Sequence, residues 1–122
     1  MATKTRKHAR LRGILAEWLA ALVLCCKGYR LLGWRIRTPV GEIDLLMNDR
    51  RQLINVEVKY RSRLEDGLEV LSRVDTQRQL RALLWVQASR PRDGHLQPAL
   101  HRIAIDRFGR LRHIQMEGTD FF

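Results

Sequence analysis

Two strand-like segments joined by a short polar connection constrain the fold of this chain more than any other stretch. The segments span residues 41–47 and 53–59, and both are rich in aliphatic residues. Residues 48–52 between them are polar and have the length that commonly connects antiparallel neighbours. Because side chains on a strand point alternately to opposite faces, the apolar face of this hairpin determines which residues lie on its polar face. The sequence therefore predicts a β-hairpin with an apolar and a polar side.

The register of this hairpin brings several polar residues together. If the hairpin is symmetric about Arg50 and Arg51, the polar face carries three cross-strand pairs, Glu42 with Lys59, Asp44 with Glu57 and Leu46 with Asn55. The apolar face carries Ile43, Leu45, Met47, Ile54, Val56 and Val58. A slip of one residue would place Asp44 and Glu57 on opposite faces, so the pairing depends on the parity of the register.

Asp44 and Glu57 would then be two carboxylates directly opposite each other, which is ordinarily repulsive. A divalent cation would compensate this repulsion, since Mg²⁺ takes oxygen ligands, keeps several waters and is usually held by one or two carboxylates plus substrate phosphates. Lys59 follows on the same face, where an ammonium group could stabilise charge on a phosphate or orient a water. Considered alone, the pattern is also compatible with an exposed strand face whose charges form weak surface pairs.

The spacing Asp44-x₁₂-Glu57-Val58-Lys59 resembles the PD-(D/E)xK nuclease motif. The wider frame resembles the YraN-like family of small bacterial proteins, which are related to archaeal Holliday junction resolvases. The matching residues are Gly13-x₃-Glu17-x₂-Ala20, Gly28-Tyr29, Trp34-Arg35, Gly41-Glu42-Ile43-Asp44-Leu45 and Val56-Glu57-Val58-Lys59-Tyr60-Arg61. The resemblance implies an α/β fold with a restriction-endonuclease-like core, in which a mixed β-sheet with a central antiparallel hairpin is flanked by helices.

The resemblance also implies a catalytic site and a cofactor. The catalytic residues would be Glu17, Asp44, Glu57 and Lys59, with Glu17 reaching the hairpin from the first helix. Mg²⁺ or Mn²⁺ would be bound by Asp44, Glu57 and the main-chain carbonyl of Val58. Lys59 would position the attacking water and offset charge in the transition state.

Three functions are compatible with this resemblance. The first is a metal-dependent endonuclease of the PD-(D/E)xK type that hydrolyses phosphodiester bonds in DNA, with branched or flapped structures as candidate substrates. The second is a non-catalytic nucleic-acid-binding protein on the same nuclease fold. The third, from a different class again, is a protein-interaction subunit whose basic face serves an acidic partner. Resemblance of fold alone does not decide among them.

The net charge of the chain favours a phosphate-bearing partner. Lys and Arg number 23 against 13 Asp and Glu, which gives a formal net charge of +10. Arginine outnumbers lysine and contacts phosphates in bidentate fashion, so we expect nucleic acid as the partner, with DNA favoured over RNA. The predicted phosphate contacts are Arg61 and Arg63 beyond Lys59, Arg35 and Arg37 on the first strand, and Arg78, where the family usually carries a lysine nearby. The alternative for Arg61 and Arg63 is an ordinary solvated basic loop.

Length and pattern predict a single domain with a short arm before it. Residues 1–10 lack apolar periodicity and are predicted to be a mobile basic arm, so that the domain spans residues 11–122. Helices are predicted over residues 11–27 and 74–88, the second capped by Ser72 and Asp75, and further strands over 29–37, 100–105 and 110–116. The chain ends in Phe121 and Phe122, which would be exposed unless they dock on the body or on a second copy in a homodimer.

The sequence also predicts a compartment. The longest apolar run, residues 18–26, is too short to span a bilayer, and we expect neither membrane insertion nor a secretory signal. We therefore expect a cytoplasmic protein. Cys25 and Cys26 are adjacent within a predicted helix, which suits neither a disulfide nor a zinc knuckle, and we interpret them as reduced structural thiols. The four histidines show no ligand spacing and are interpreted as surface or hairpin residues.

Overall fold

A computed structural model describes residues 2–68 and 73–116, and only the backbone of residues 2–5 and 73. In chain order the elements are α1 (Ala2–Cys26), β1 (Arg30–Thr38), β2 (Gly41–Asn48), β3 (Gln52–Tyr60), α2 (Leu64–Gly67), α3 (Arg73–Ala88), a 3₁₀ turn (Pro91–Asp93), β4 (Gln97–Ile105) and β5 (Leu111–Met116). Ser72, Phe121 and Phe122, which carry the predicted helix cap and the predicted docking tail, lie outside the described residues.

In the described part of the chain, five strands form one mixed sheet in the order β1-β2-β3-β4-β5. Neighbouring strands are antiparallel except β3 and β4, which are parallel. Parallel neighbours require a crossover connection, and α3 supplies it between β3 and β4. The predicted α/β architecture is therefore confirmed: a mixed sheet contains the antiparallel hairpin β2–β3, is flanked by helices and is consistent with a restriction-endonuclease-like core.

The central hairpin has the register that its alternation predicts. β2 and β3 pair antiparallel so that Leu46 faces Asn55. The turn between the strands is closed by Asp49, whose carboxylate accepts hydrogen bonds from the amides of Arg51 at 2.7 Å and Gln52 at 2.6 Å. Aspartate commonly stabilises turns in this way, because its short side chain reaches amides two or three residues along the chain.

Two apolar clusters bury the hairpin, one on each face of the sheet. The α1 cluster consists of Ala16, Ala20, Ala21, Leu24, Leu45, Met47, Ile54, Val56, Ala99, Ile103 and Ile105. The α3 cluster consists of Ile43, Leu46, Leu53, Ala82, Leu83, Val86, Leu96 and Leu100. Strands covered on both faces are nearly continuous in apolar residues, which explains the density of aliphatic side chains in β2 and β3. Removing this apolar surface from water is the main stabilising contribution to such a core.

Helix α1 is longer than its apolar pattern indicates. The prediction that the first helix begins at Leu11 is wrong, because the helix begins at Ala2 and includes residues 2–10 of the predicted basic arm. Those residues have no apolar stripe, but alanine, lysine and arginine have high helix propensity and extend a helix that is anchored by packing further along. The basic side chains before Leu11 are therefore carried on a helix continuous with the packed segment.

A distortion in β1 changes which side chains share a face. Regular alternation predicts Trp34 and Ile36 on one face, and Ile43 on the face of Leu45. In the structure Trp34 and Leu45 lie on the α1 side, whereas Ile36 and Ile43, which pair with each other, pack in the α3 cluster. In β1 the left-handed backbone conformation of Arg35 (φ 52°) interrupts the extended strand between Trp34 and Ile36, and Ile43 packs on the same side as its partner Ile36. Both predictions of facing are therefore wrong.

The C-terminal end of α1 carries the two cysteines. Cys25 and Cys26 are unbonded thiols, in agreement with the expected reduced state, but both lie at exposed positions. Within the described residues, no helix combines the length and the apolar character needed to cross a membrane.

Two histidines on neighbouring strands form a hydrogen-bonded chain with Lys27. The Lys27 Nζ lies 3.0 Å from Nδ1 of His113, and Nε2 of His113 lies 2.9 Å from Nδ1 of His101. Because an ammonium group only donates, His113 accepts at Nδ1 and donates from Nε2 to His101, which makes both rings neutral. Tyr29 contacts both rings edge to face. His101 is thus a buried residue of the β4–β5 hairpin, so the interpretation as a hairpin residue holds, whereas it is not a surface residue.

This chain of side chains makes stability depend on pH. Burial, and then the charge of His113, lowers the pKa of His101 to about 4. Burial, and then the charge of Lys27, lowers the pKa of His113. The unfolded chain binds protons below about pH 6.5, whereas the folded chain binds them only at lower pH, so acidification from about pH 6.5 toward 4 favours unfolding.

We predict that His101→Gln will lose less stability than the unmodified protein when the pH falls from 7.5 to 5. Glutamine can accept the hydrogen bond from His113 but does not titrate, and the difference should amount to roughly 1–2 kcal/mol at pH 5. Thermal unfolding at several pH values measures it. His95→Gln, which changes an exposed histidine, is the matched control and should follow the unmodified protein. Equal losses in all three proteins would contradict the prediction.

Candidate active site

The central hairpin opens at the end where the predicted site residues lie. Paired residues run from Asn48 and Leu53 only as far as Leu45 and Val56. Beyond them, the Asp44 Oδ2 accepts a hydrogen bond from the main-chain amide of Val58 at 2.9 Å. A side-chain carboxylate therefore takes the place of a main-chain acceptor, and the two strands part.

A pocket of about 610 Å³ lies at this opening. Its lining comes from three sides: Ala9, Arg12, Gly13, Ala16 and Glu17 of α1; Glu42, Asp44, Asn55, Glu57, Val58, Lys59 and Tyr60 of the hairpin with Arg61 and Ser62 after it; and Gln79 of α3. The α1 residues recur at helical spacing and form one face of the helix. The structure thus brings all four predicted catalytic residues to one pocket, while their roles stay predictions.

Asp44 is held in a partly buried and acidic environment. Burial raises the pKa of Asp44 to about 6, the hydrogen bond from Val58 opposes the rise, and the charges of Glu17 and Glu57 add to it. A carboxylate near other carboxylates and away from water is stabilised by a proton or a cation. Asp44 is therefore the group in this pocket whose ionised form is least satisfied by its neighbours.

The surroundings of Glu57 stabilise its ionised form, in contrast to those of Asp44. Its Oε1 lies 3.0 Å from the Lys59 Nζ, and its Oε2 accepts from Gln79 at 2.8 Å and from Arg102 at 3.1 Å. Burial alone would raise the pKa of Glu57, but the hydrogen bonds from Gln79 and Lys59, with the charges of Lys59 and Arg102, lower it below its usual value. Glu57 is therefore ionised at neutral pH, and its carboxylate is oriented by three side chains.

Glu17 enters the pocket from α1 and is itself buried. Its Oε2 accepts hydrogen bonds from Trp34 Nε1 at 3.0 Å and from Arg35 Nε at 2.8 Å. The left-handed conformation of Arg35 places that guanidinium group on the same side of the strand as Trp34. Glu17 is thus held by two donors from β1 beside the carboxylates of the hairpin.

The donors in this pocket suit a hard divalent cation that keeps several waters. Among the described residues, no group of three or more His, Cys, Asp or Glu side chains could hold a metal ion. Mg²⁺ needs fewer protein ligands than that, since one or two carboxylates with waters and substrate phosphates suffice. Asp44 and Glu57 supply the carboxylates, and the buried Gln79 Oε1 has no hydrogen-bond partner among the described residues. The oxygen donors therefore fit Mg²⁺ or Mn²⁺, with the Val58 carbonyl as a predicted further ligand.

The arginines predicted to contact phosphate occupy different environments. Arg61 is exposed and lines the pocket, with its Nη1 bonded to the carbonyl of Tyr60 at 2.8 Å. Arg37 is almost fully exposed, 3.4 Å from a carboxylate oxygen of Glu42. Arg61 therefore has the position and the exposure that a phosphate contact needs, and Arg37 has the exposure.

The other three arginines are less available. Arg35 is paired with Glu17, and Arg63 is paired with Glu65 outside the pocket lining. Arg78 is exposed on α3, and its side-chain carbons lie where a side chain at Gly41 would stand. The structure therefore does not bring these three arginines together with Lys59 in the pocket lining.

Several residues of the site were not singled out from the sequence. Arg12 lines the pocket and lies over the ring of Tyr60, 5.9 Å from its centroid. Helical spacing from Glu17 would have predicted that Arg12 lies on the pocket side of α1. Gln79 and Arg102 reach Glu57 from α3 and β4. No local pattern indicates these contacts, because they depend on the crossover that brings both elements to β3.

The fold and the pocket together define an α/β protein whose core is consistent with that of restriction endonucleases, and in which four carboxylates and a lysine line a solvent-open pocket. The chain belongs to the uncharacterised protein family UPF0102, whose family model matches residues 16–108. The matched region contains Glu17, Asp44, Glu57 and Lys59.

Several relatives extend this similarity. The chain is 51% identical over 82 residues to a UPF0102 protein of Caulobacter sp. (strain K31), a match covering 67% of this chain and 59% of that relative. It is 46% identical over 82 residues to a UPF0102 protein of Caulobacter vibrioides, covering 67% of this chain and 66% of the relative. A UPF0102 protein of Mesorhizobium japonicum is 37% identical over 102 residues, covering 83% and 81%. The chain thus spans less than two thirds of the length of both Caulobacter relatives.

We predict that Asp44→Asn will make the metal-free protein more stable above pH 6, by roughly 1–2 kcal/mol. A raised carboxyl pKa means that the folded chain holds a proton that the unfolded chain has lost, so stability falls as the pH rises from about 4 to 6. Asparagine carries no charge and its amide oxygen can still accept from Val58. Urea unfolding in EDTA between pH 4.5 and 8 measures the difference.

The control for this prediction is Glu42→Gln, which changes an exposed carboxylate at the rim of the same pocket. The free energy of unfolding of this variant should stay within about 0.5 kcal/mol of that of the unmodified protein at every pH. An Asp44→Asn protein that is less stable than the unmodified protein at pH 7.5 would contradict the acidic environment described for Asp44.

Proposed function

We propose that this protein is a Mg²⁺- or Mn²⁺-dependent endonuclease of the PD-(D/E)xK type that hydrolyses phosphodiester bonds in DNA, with branched or flapped structures as candidate substrates. The observation that carries the proposal is the shared pocket of Glu17, Asp44, Glu57 and Lys59 between parted strands. Carboxylates and a cation in a solvent-open cleft are what a hydrolytic site for phosphate esters requires. A cytoplasmic location, expected from the sequence, suits a DNA substrate.

The roles of the side chains follow from their contacts. Asp44 and Glu57 would hold the divalent ion, which when bound supplies Lewis acidity and lowers the pKa of a coordinated water. Lys59, with about a third of its side chain exposed, can leave Glu57 to contact a phosphate oxygen, where its charge stabilises the pentacoordinate transition state. Gln79 and Arg102 keep the Glu57 carboxylate oriented.

Arg12 and Arg61 are the residues best placed to bind the phosphates that flank the scissile bond. Arg12 lies on the α1 side of the pocket, and Arg61 lies where the chain leaves β3. Guanidinium groups bind phosphate oxygens in bidentate fashion, which positions a strand without reading its bases. Binding through these groups should therefore depend on salt more than on base sequence.

A second candidate function is non-catalytic nucleic-acid binding. One observation favours it: both carboxylate oxygens of Glu57 are already satisfied by Lys59, Gln79 and Arg102, so this carboxylate does not need an ion. In that case the pocket would bind a phosphate through Lys59 and the surrounding arginines and would not cleave it. An assay for cleavage separates the two functions.

The test is to incubate the pure protein with linear, flapped and four-way DNA in Mg²⁺, Mn²⁺ or EDTA. We predict cleavage with a divalent ion and none in EDTA. Lys59→Ala should lower kcat by about a hundredfold with little change in KM, because loss of a positioned electrostatic group affects mainly the transition state. Lys7→Ala, which changes an exposed lysine outside the pocket lining, is the matched control.

Further variants separate a shared site from independent contributions. Asp44→Ala and Glu57→Ala should each be at least as damaging as Lys59→Ala. Combining either with Lys59→Ala should cost much less than the product of the separate losses, since the three residues would act as one unit. If the unmodified protein cleaves nothing with either metal but binds branched DNA tightly, the catalytic proposal fails and the binding function replaces it.

We also predict that DNA affinity will fall steeply with salt and vary little with base sequence. Each phosphate contact that is lost should reduce the slope of log Kd against log salt by about 1, so Arg12→Ala and Arg61→Ala should each do so. Arg92→Ala, at an exposed position on the 3₁₀ turn, is the control and should leave the slope unchanged. Fluorescence anisotropy at several salt concentrations measures the slope, and a flat response would rule out the basic surface as the binding site.

A further inference from the structure

The side of α1 that faces away from the sheet carries a row of large apolar side chains. Leu11, Leu15, Trp18 and Leu22, called here the outer stripe, are 53%, 57%, 58% and 62% exposed. Residues spaced four, three and four positions apart lie along one face of a helix. No described residue covers the outer stripe enough to bury any of its four members.

The opposite face of the same helix is also apolar. Ala16, Ala20, Ala21 and Leu24 pack against the sheet in the α1 cluster. A helix that is apolar on both sides is normally buried on both sides, whereas a helix at a solvent surface carries polar residues on its outer face. The second half of α1 therefore has the composition of a helix that is covered by another protein surface.

The outer stripe continues onto the edge strand β1. The ring of Trp18 lies 5.7 Å from the ring of Trp34, and Leu31 and Trp34 are each 41% exposed. Together these six side chains expose on the order of 600 Å² of apolar surface, the upper end of what a monomer usually exposes. A standard interface buries about 800 Å² on each partner, so this surface could form most of one.

The spacing within the outer stripe identifies the partner. The intervals between its members are four, three and four residues, which is the same order in both directions along the helix. The outer stripe therefore matches a second copy of itself that runs antiparallel. We propose that two copies of this chain form a homodimer about a two-fold axis, with Leu11 against Leu22 and Leu15 against Trp18 of the second copy. Such a self-complementary contact is what a two-fold interface requires, and the 4-3 spacing is that of packed helix pairs.

Charge supports the antiparallel arrangement. The outer stripe contains no charged residue, so it offers an acidic partner nothing to pair with. The first half of α1 is basic, with Arg6, Lys7, Arg10 and Arg12, whereas residues 13–26 contain Glu17 alone as a charged side chain. An antiparallel pair sets each basic half against a neutral half, while a parallel pair would bring the two basic halves together.

The dimer would leave both pockets open. Gly13, Ala16 and Glu17 of the pocket lining lie on the side of the helix away from the outer stripe, whereas Arg12 lies at its flank. The proposal therefore does not depend on the nuclease proposal, and its readout is the mass of the particle, which is measured without any substrate.

Sedimentation equilibrium tests the proposal. The unmodified protein should be dimeric at micromolar concentration, and Trp18→Glu should raise the dimer Kd at least about a hundredfold, because a charge would be buried at the centre of the interface. Trp85→Glu is the matched control, since Trp85 is 48% exposed on α3, and it should remain dimeric. Circular dichroism of each variant verifies that the helices are retained.

Complementary charges test the antiparallel register. Leu11→Glu and Leu22→Lys should each be monomeric alone and should form a dimer when mixed, because the two positions face each other. Leu11→Glu mixed with Leu11→Lys should stay monomeric, and dimer formation in that mixture would overturn the register. An unmodified protein that is monomeric at about 100 μM would overturn the proposal itself. Quenching of tryptophan fluorescence by single-stranded DNA in that monomer would identify the face as a base-stacking surface instead.

Discussion

The hydrogen bond from the Val58 main-chain amide to the Asp44 carboxylate is the contact on which the candidate site depends. A hairpin with apolar side chains on both faces would otherwise continue its ladder of main-chain hydrogen bonds. Here the carboxylate replaces a main-chain acceptor, so the strands part without leaving the Val58 amide unpaired. The resulting gap opens side chains of a sheet that is otherwise buried to solvent.

The two carboxylates at this gap are held in opposite states by their surroundings. Burial, and then the charges of Glu17 and Glu57, raise the pKa of Asp44, whereas Glu57 is bonded to amide and cationic groups and has a lowered pKa. The low pKa of Glu57 is due first to the hydrogen bond from Gln79 on α3 and then to Lys59, with a further contribution from Arg102, which parallel pairing of β3 and β4 places beside it. The crossover through α3 therefore determines the electrostatics of the site as well as the topology of the sheet.

Helix α1 serves both the pocket and an outward surface. One side supplies Gly13, Ala16 and Glu17 to the pocket, and the opposite side carries the outer stripe. Such a helix has weak amphipathicity, so periodicity alone does not reveal which side is buried. Periodicity also fails to reveal the start of the helix, because residues 2–10 are basic and carry no apolar stripe, although their helix propensity is high.

The sequence by itself determined the hairpin and its register from Leu45 to Leu53, because alternating aliphatic side chains and the polar turn specify which residues pair. Local patterns also identified the five strands and the two long helices. Only the tertiary structure decided the side on which Ile43 packs, since Ile43 joins its partner Ile36 in the α3 cluster although Leu45 lies in the α1 cluster. It also decided which donors orient Glu57, because contacts from distant elements form only when the sheet assembles, and no local periodicity encodes them.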